Sequence, residues 1–118
     1  MTITLYGFGE SGNAYKVALM LQLTGTPWEL RFVDFFKGEA RSPEFLKLNE
    51  MGEVPVLVDD AQVLTQSGMI LDHLAEKTGR FGGATAEEAR EVWRWILWDN
   101  HKLSTQIGTA RFLANFLP

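Results

Sequence analysis

Four short stretches of this sequence carry side chains that could do chemistry. Gly7-Phe8-Gly9-Glu10-Ser11-Gly12 spells GxGxxG, and Asp34 follows about twenty residues later. That is the spacing of a dinucleotide fingerprint, with a pyrophosphate on a helix N-terminus and the acid on the ribose. Ser11-Gly12-Asn13 overlaps this run and opens a helical pattern. A hydroxyl there lies beside free backbone N–H groups at the positive end of the helix dipole, a setting that stabilises a thiolate. Serine is also a preferred N-cap, and from Ser11 alone capping is the simpler role. The third stretch is Glu53-Val54-Pro55-Val56, at the entry to a strand. A cis Val54–Pro55 bond could turn the Val54 N–H and C=O outward toward a peptide-like ligand; a trans edge proline would carry no function. The fourth is Gln66-Ser67-Gly68, another helix start, able to hold a carboxylate or simply to be capped by Ser67. His73 and His101 have no ligand partners at metal-site spacing, so no metal is expected.

The elements that must position these residues follow from the hydrophobic pattern. Thr2 to Tyr6 alternates as a strand, and Val17, Leu19, Met20, Leu21 and Leu23 describe a mostly buried helix stopped by Gly25 and Pro27. Trp28 to Phe35 alternates again, with Leu30, Phe32 and Asp34 on one face, which completes a β-α-β unit with parallel strands. Ser42-Pro43-Glu44 starts a short helix that Asn49 to Gly52 breaks. Val54 to Val58 and Gln62 to Leu64 read as a hairpin around Asp59-Asp60, and a helix from Ser67 ends near Gly79.

Arg80 to Ala84 is the best boundary in the chain, and Thr85 with Glu88 makes a capping box. A long helix then carries Ala89, Val92, Ile96, Leu103 and Ile107 on one stripe. Trp93, Trp95 and Trp98 cannot all share that stripe, and Phe112 to Leu117 is apolar, so more than one packing partner is expected. The predicted organisation is an α/β domain over residues 1–79, a linker over 80–85, and the start of an all-α domain over 86–118. A hairpin after the second helix, and a domain ending near residue 79, leave the dinucleotide reading as a minor alternative.

Composition narrows the function classes. With 118 residues, 46% of them hydrophobic, the chain can bury a core. The absence of cysteine excludes disulfides, thiolate zinc and dithiol redox chemistry by the chain itself. A net charge of −4 with eleven dispersed Lys and Arg argues against nucleic-acid binding. No apolar run is long enough for a membrane span, and the N-terminus lacks a signal-peptide pattern, so a cytoplasmic location is expected.

Taken in order, a strand, a Ser-x-Asn helix start, Val-Pro before a hairpin and Gln-Ser opening the next helix resemble the N-terminal, thioredoxin-like domain of glutathione transferases. SGNAYKVALMLQLTG, LNEMGEVPVLVDD and TQSGMILDHLAE are similar to bacterial members of serine type. The resemblance covers residues 1 to 79, and the tryptophan-bearing helix resembles the first part of the family's helical C-terminal domain, which looks truncated. It implies a βαβ-α-ββα fold and reduced glutathione as co-substrate. Ser11, with Asn13, would donate hydrogen bonds to the glutathione sulfur. Val54, before a cis Pro55, would pair through its backbone with the cysteinyl unit, and Gln66 and Ser67 would hold the γ-glutamyl group. Lys37 and Arg41 are candidates for the glycyl carboxylate. Tyr6 is the alternative to Ser11, because some branches use a tyrosine at the end of the first strand. Asn49-Glu50 stands where Asn-Pro is usual. The implied function is transfer of the glutathione thiolate to a small electrophile or a mixed disulfide, in a homodimer. The alternative is a non-catalytic glutathione-binding or oligomerisation module.

Overall fold

The computed structural model describes residues 2–116. Strand β1 (Ile3–Gly7) buries Ile3 and Leu5 on one face and pairs in parallel with β2 (Trp28–Phe32), Leu5 opposite Leu30. On its other side β1 pairs antiparallel with β3 (Val56–Asp59), which turns into β4 (Gln62–Thr65). The sheet order is β2-β1-β3-β4. The chain therefore reverses direction after one parallel crossover, and the doubly wound sheet of a dinucleotide site is not built.

Helices α1 (Gly12–Leu23) and α3 (Ser67–Thr78) cover one face, where Val17, Met20, Leu21, Ile70 and Leu74 pack on Ile3, Leu5 and Leu57. Helix α2 (Pro43–Leu48) belongs to a smaller core in which Phe45 joins Val33, Ala40 and Val56. Ser42 caps α2, its hydroxyl oxygen accepting the Phe45 N–H at 3.2 Å, and Gly79 ends α3 with φ of 70°. The mixed sheet between helices is the expected thioredoxin-like α/β arrangement, followed by a long helical stretch.

Several local expectations are corrected. Leu19 and Leu23 are exposed, because α1 offers only one face to the sheet and Ala14, Val17, Met20 and Leu21 occupy it. β2 stops at Phe32, and Leu30 and Phe32 face out from an edge strand; Phe35–Lys37 and Glu39–Arg41 are short 3₁₀ turns instead. The hairpin turns one residue later than expected. Asp59 stays in β3 opposite Gln62, and Asp60 takes φ of 54°. Ser67 is not the cap of α3, since Gln66 holds the N-cap position with φ of 70° and Ser67 is the first helical residue.

Helix α4 (Ala86–Trp98) starts on the expected capping box. Thr85 Oγ1 accepts the Glu88 N–H at 3.1 Å, while Glu88 Oε1 reaches back to the Ala84 N–H at 2.7 Å. A Cβ at Gly68 would stand 2.7 Å from Ile96 Cγ2, so the missing side chain lets α4 approach α3. The helix continues as a π-wound segment, Asp99–Gly108, and then α5 (Thr109–Asn115). Bonding five residues apart changes the winding, and the predicted stripe is lost: Leu103 and Ile107 are exposed. Trp95 and Trp98 are also exposed, their rings edge to face at 5.6 Å, whereas Trp93 lines the α3–α4 groove. Of the apolar run at the end of the expected helix, Leu117 lies outside the described residues.

Candidate functional site

The site begins where β1 meets α1. A Cβ at Gly7 would lie 2.8 Å from the Ala14 Cβ, so only glycine lets the helix start this close to the strand. The Ser11 N–H closes the turn onto the Phe8 carbonyl at 3.1 Å, and the Ser11 carbonyl accepts the first helical bond from Tyr15. The Ser11 hydroxyl oxygen accepts the Ala14 N–H at 3.1 Å, so Ser11 is the N-cap. A capping hydroxyl keeps its own proton to donate, and this one does so at the positive end of a twelve-residue helix.

A second loop closes toward this point. Asn49, buried, donates its Nδ2–H to the Glu53 carbonyl at 2.8 Å, and its Oδ1 accepts the Met51 N–H at 3.1 Å. The bracket so formed leads into Val54–Pro55, whose peptide bond is cis, and then into β3. Gln66 Nε2 lies 3.4 Å from Glu53 Oε1 and 3.2 Å from the Met51 sulfur. Ser67 is buried with its Oγ 3.4 Å from Asn13 Oδ1.

Three adjoining cavities share these residues. One, of about 290 Å³, is lined by Asn13, Asn49, Glu53, Val54, Pro55, Gln66 and Ser67, with Asn100, Ser104 and Thr105 of the π segment on the far side. The next, of about 640 Å³, runs from Ser11 and Val54 past Phe8, Phe35 and Leu46 to Arg41. The third, about 290 Å³, lies between Ser11, Asn13 and the rings of Phe8, Phe35, Phe36, Phe112 and Phe116, with Arg111 at its wall. Phe8 and Phe35 stack at 5.0 Å, and Phe36 carries the aromatic contact on to Phe112 at 6.4 Å and Phe116 at 5.4 Å. Ser11 and Asn13 each touch two of the three cavities.

Ser11, Asn13, Val54, Pro55, Gln66, Ser67 and Arg41 therefore come together. Lys37 does not: its side chain is 85% exposed and faces Asp34 at 3.9 Å. Tyr6 lines none of the three cavities. Its ring packs edge-on against Phe45 at 6.4 Å beneath the Arg31 guanidinium at 5.6 Å. Sequence reasoning gave Glu53 no role of its own and passed over the π-segment residues Asn100, Ser104 and Thr105 and the aromatic wall. An acid directly before the apolar Val54-Pro55-Val56 element was the available signal for Glu53.

His73 serves another purpose. Its Nε2 lies 2.9 Å from Asp59 Oδ2, and the Lys77 ammonium donates to both Asp59 oxygens at 3.1 and 2.8 Å. These hydrogen bonds, Lys77 first and His73 second, hold the Asp59 carboxyl below its ordinary value, against burial that pushes it up. The cluster clamps the end of β3 to α3. Among the described residues no group of His, Cys, Asp or Glu is arranged to hold a metal ion, and no helix is long and apolar enough to cross a membrane.

Comparison with known proteins bears on the family and the fold. The family model described as the glutathione S-transferase N-terminal domain matches residues 1–76. Glutathione S-transferase 1 of Dianthus caryophyllus is 48% identical over 73 residues, covering 62% of this chain and 33% of that protein. The disulfide-bond oxidoreductase YfcG of Escherichia coli K12 is 33% identical over 113 residues, covering 90% of this chain and 52% of that one. A glutathione transferase from Pseudomonas putida, solved with one glutathione disulfide bound per subunit, superposes with a TM-score of 0.90 at 26% identity, covering 98% of this chain and 53% of that one. The chain thus spans between a third and about half of the length of these proteins. On the match over residues 1–76 and the fold that carries it, the chain belongs to the glutathione S-transferase family.

Proposed function

We propose that the chain binds reduced glutathione, stabilises its thiolate and delivers it to an electrophile or a mixed disulfide. The observation that carries this reading is the Ser11 hydroxyl, which caps α1 through its oxygen and sits with a free proton where the cavities meet. A thiolate there accepts the Ser11 O–H and gains from the helix dipole. Moving a cysteine-type thiol from a pKa of ~8.5 toward neutrality takes about 1.4 kcal/mol per unit. The remaining roles follow the cavity walls. The Val54 backbone pairs with the cysteinyl unit, Gln66 and Ser67 hold the γ-glutamyl carboxylate, and Glu53 offers its carboxylate to the γ-glutamyl ammonium. Arg41, rather than Lys37, meets the glycyl carboxylate.

In the transfer step the thiolate electron pair forms a bond to the electrophilic carbon and the leaving group departs with the pair of the bond that breaks. With a mixed disulfide, the new S–S bond forms as the old one breaks and a thiolate leaves. The aromatic wall beside Ser11 supplies an apolar surface for the acceptor. The relative named as a disulfide-bond oxidoreductase and the structure holding glutathione disulfide support the second acceptor class. The working assembly is a homodimer in the cytoplasm, and no metal takes part.

A second reading, a glutathione-binding or oligomerising module without turnover, draws on the exposed Trp95, Leu97 and Trp98. Calorimetry with glutathione and NAD, followed by a turnover assay with an aryl halide and with a mixed disulfide of glutathione, separates these. Glutathione binding with turnover supports transfer, and binding without turnover supports the module. Saturable NAD binding without glutathione binding overturns both.

A further inference from the structure

The helix beyond Trp98 is π-wound for ten residues, Asp99–Gly108. Such winding is rare and, within a helix, frequently sits at functional sites. Here it brings Asn100, Ser104 and Thr105 to the cavity that holds Gln66 and Ser67. Behind that cavity a polar chain crosses three helical elements. Lys16 of α1 pairs with Asp99 Oδ2, and Asp99 Oδ1 lies 2.9 Å from Ser104 Oγ. The Asn13 carboxamide, at its Oδ1 position, lies 3.5 Å from Ser104 Oγ and 3.4 Å from Ser67 Oγ.

Counting protons decides how this chain is wired. Ser104 has one hydroxyl proton. A carboxylate can only accept, and the Asp99 contact is the shorter and charge-assisted, so the proton goes there. Ser104 Oγ then meets Asn13 with lone pairs alone. The two ends of a carboxamide are alike in size, and their partners decide which faces which way. Only the NH₂ end suits a lone pair, and its second hydrogen can reach Ser67 Oγ.

We propose that Asn13 is a positioning residue for Ser67 rather than a donor to the glutathione sulfur. Its NH₂ group bridges Ser104 and Ser67, which leaves the Ser67 proton free to donate into the cavity, to the α-carboxylate of the γ-glutamyl unit. Lys16 and Asp99 set the direction of the whole chain, and the π winding is what brings Ser104 within reach. This deepens the glutathione reading above and rests on it.

The test uses the full chain and two probes, glutathione and N-acetylcysteinylglycine, which lacks the γ-glutamyl amino-acid group. Affinities come from calorimetry, and the pKa of the bound glutathione thiol from its ultraviolet thiolate absorbance. Asn13→Ala, a change to a good helix former, is expected to weaken glutathione about tenfold. It should leave the affinity for the shorter thiol and the pKa of the bound glutathione thiol unchanged. Ser104→Ala should do the same to a smaller extent, and Ser104→Thr, which keeps the hydroxyl, should restore the parent behaviour. A raised thiol pKa at constant affinity in Asn13→Ala would put the amide on the sulfur and overturn the assignment. So would an equal loss for both probes, or no change for either. Failure of the parent chain to bind glutathione overturns the functional reading itself and this assignment with it.

Discussion

The Ser11 hydroxyl oxygen accepts the Ala14 backbone N–H at 3.1 Å. Capping and chemistry are therefore compatible in one side chain: the oxygen's lone pair satisfies the helix while its proton points elsewhere. The same bond fixes the hydroxyl against rotation of the side chain, since leaving the cap would strand a backbone donor at the mouth of the cavity. The two roles can be separated by substitution, because aspartate caps a helix as well as serine does but has no proton to give a thiolate.

Gln66→Ala should weaken glutathione binding about tenfold, the scale of one hydrogen bond to a charged group. The bound thiol pKa should stay constant, because Gln66 lines the cavity of Asn13, Val54 and Ser67, whereas Ser11 lines the two adjoining ones. Calorimetry paired with a thiolate titration checks this; a shifted pKa with intact affinity would contradict the assigned role.

Arg41 lines the same cavity as Ser11 and Val54, whereas Lys37 points away. Arg41→Ala is expected to cost glutathione about 2 kcal/mol of binding, and Lys37→Ala to change it within error. Binding isotherms of the two variants settle which cation serves the glycyl carboxylate. Equal losses, or a larger loss at Lys37, would reverse the choice.

Asp59 links stability to pH. Its folded pKa lies below the ordinary 3.8, because the Lys77 and His73 hydrogen bonds favour the charged form. A depressed carboxylate contributes stability fully above the unfolded value and loses it as pH falls through the folded one. Asp59→Asn should therefore lower stability by about 2 kcal/mol near neutral pH, with the gap to the parent closing below about pH 4. Urea unfolding at a series of pH values reads this directly, and a gap that is constant with pH would show that the charge is not the stabilising feature.

Most of the frame was legible before the structure because each element announces itself locally. Ser42 and Thr85 are strong cap residues, Gly79 suits a left-handed helix end, and Ile3 and Leu5 alternate against the polar or half-buried Thr4 and Tyr6. Ser11, Val54, Gln66 and Ser67 were singled out through the family resemblance that their order along the chain carries, and the structure places them along adjoining cavities. What stayed hidden has physical reasons. Gln66 adopts positive φ without being glycine, so the start of α3 was placed one residue late. The π winding leaves no trace in a 3.6-residue pattern, so nothing in the sequence singled out Asn100, Ser104 and Thr105. Asn49 looked like a helix breaker, but it is the buried bracket that shapes the loop before Val54.

Trp95 and Trp98 are 52% and 46% exposed beside Leu97, also exposed, so α4 presents an uncovered aromatic face. Burying a large apolar side chain is worth about 1.5–3 kcal/mol, and this face should drive self-association. Sedimentation over a wide concentration range should show a growing species, weakened by Trp95→Glu with Trp98→Glu, and iodide should quench tryptophan less as it grows. A concentration-independent monomer would contradict the expected homodimer.

The central claim, that Ser11 lowers the thiol pKa of bound glutathione, is tested most directly by titrating the thiolate absorbance of the complex in the parent, Ser11→Ala and Ser11→Asp. The parent midpoint should lie below that of free glutathione. Ser11→Ala should raise it by about one unit, ~1.4 kcal/mol, while also losing about 1 kcal/mol of helix-cap stability. Ser11→Asp should keep the stability and still raise the midpoint. The same midpoint in all three proteins would contradict the account, leaving Ser11 a helix cap and nothing more.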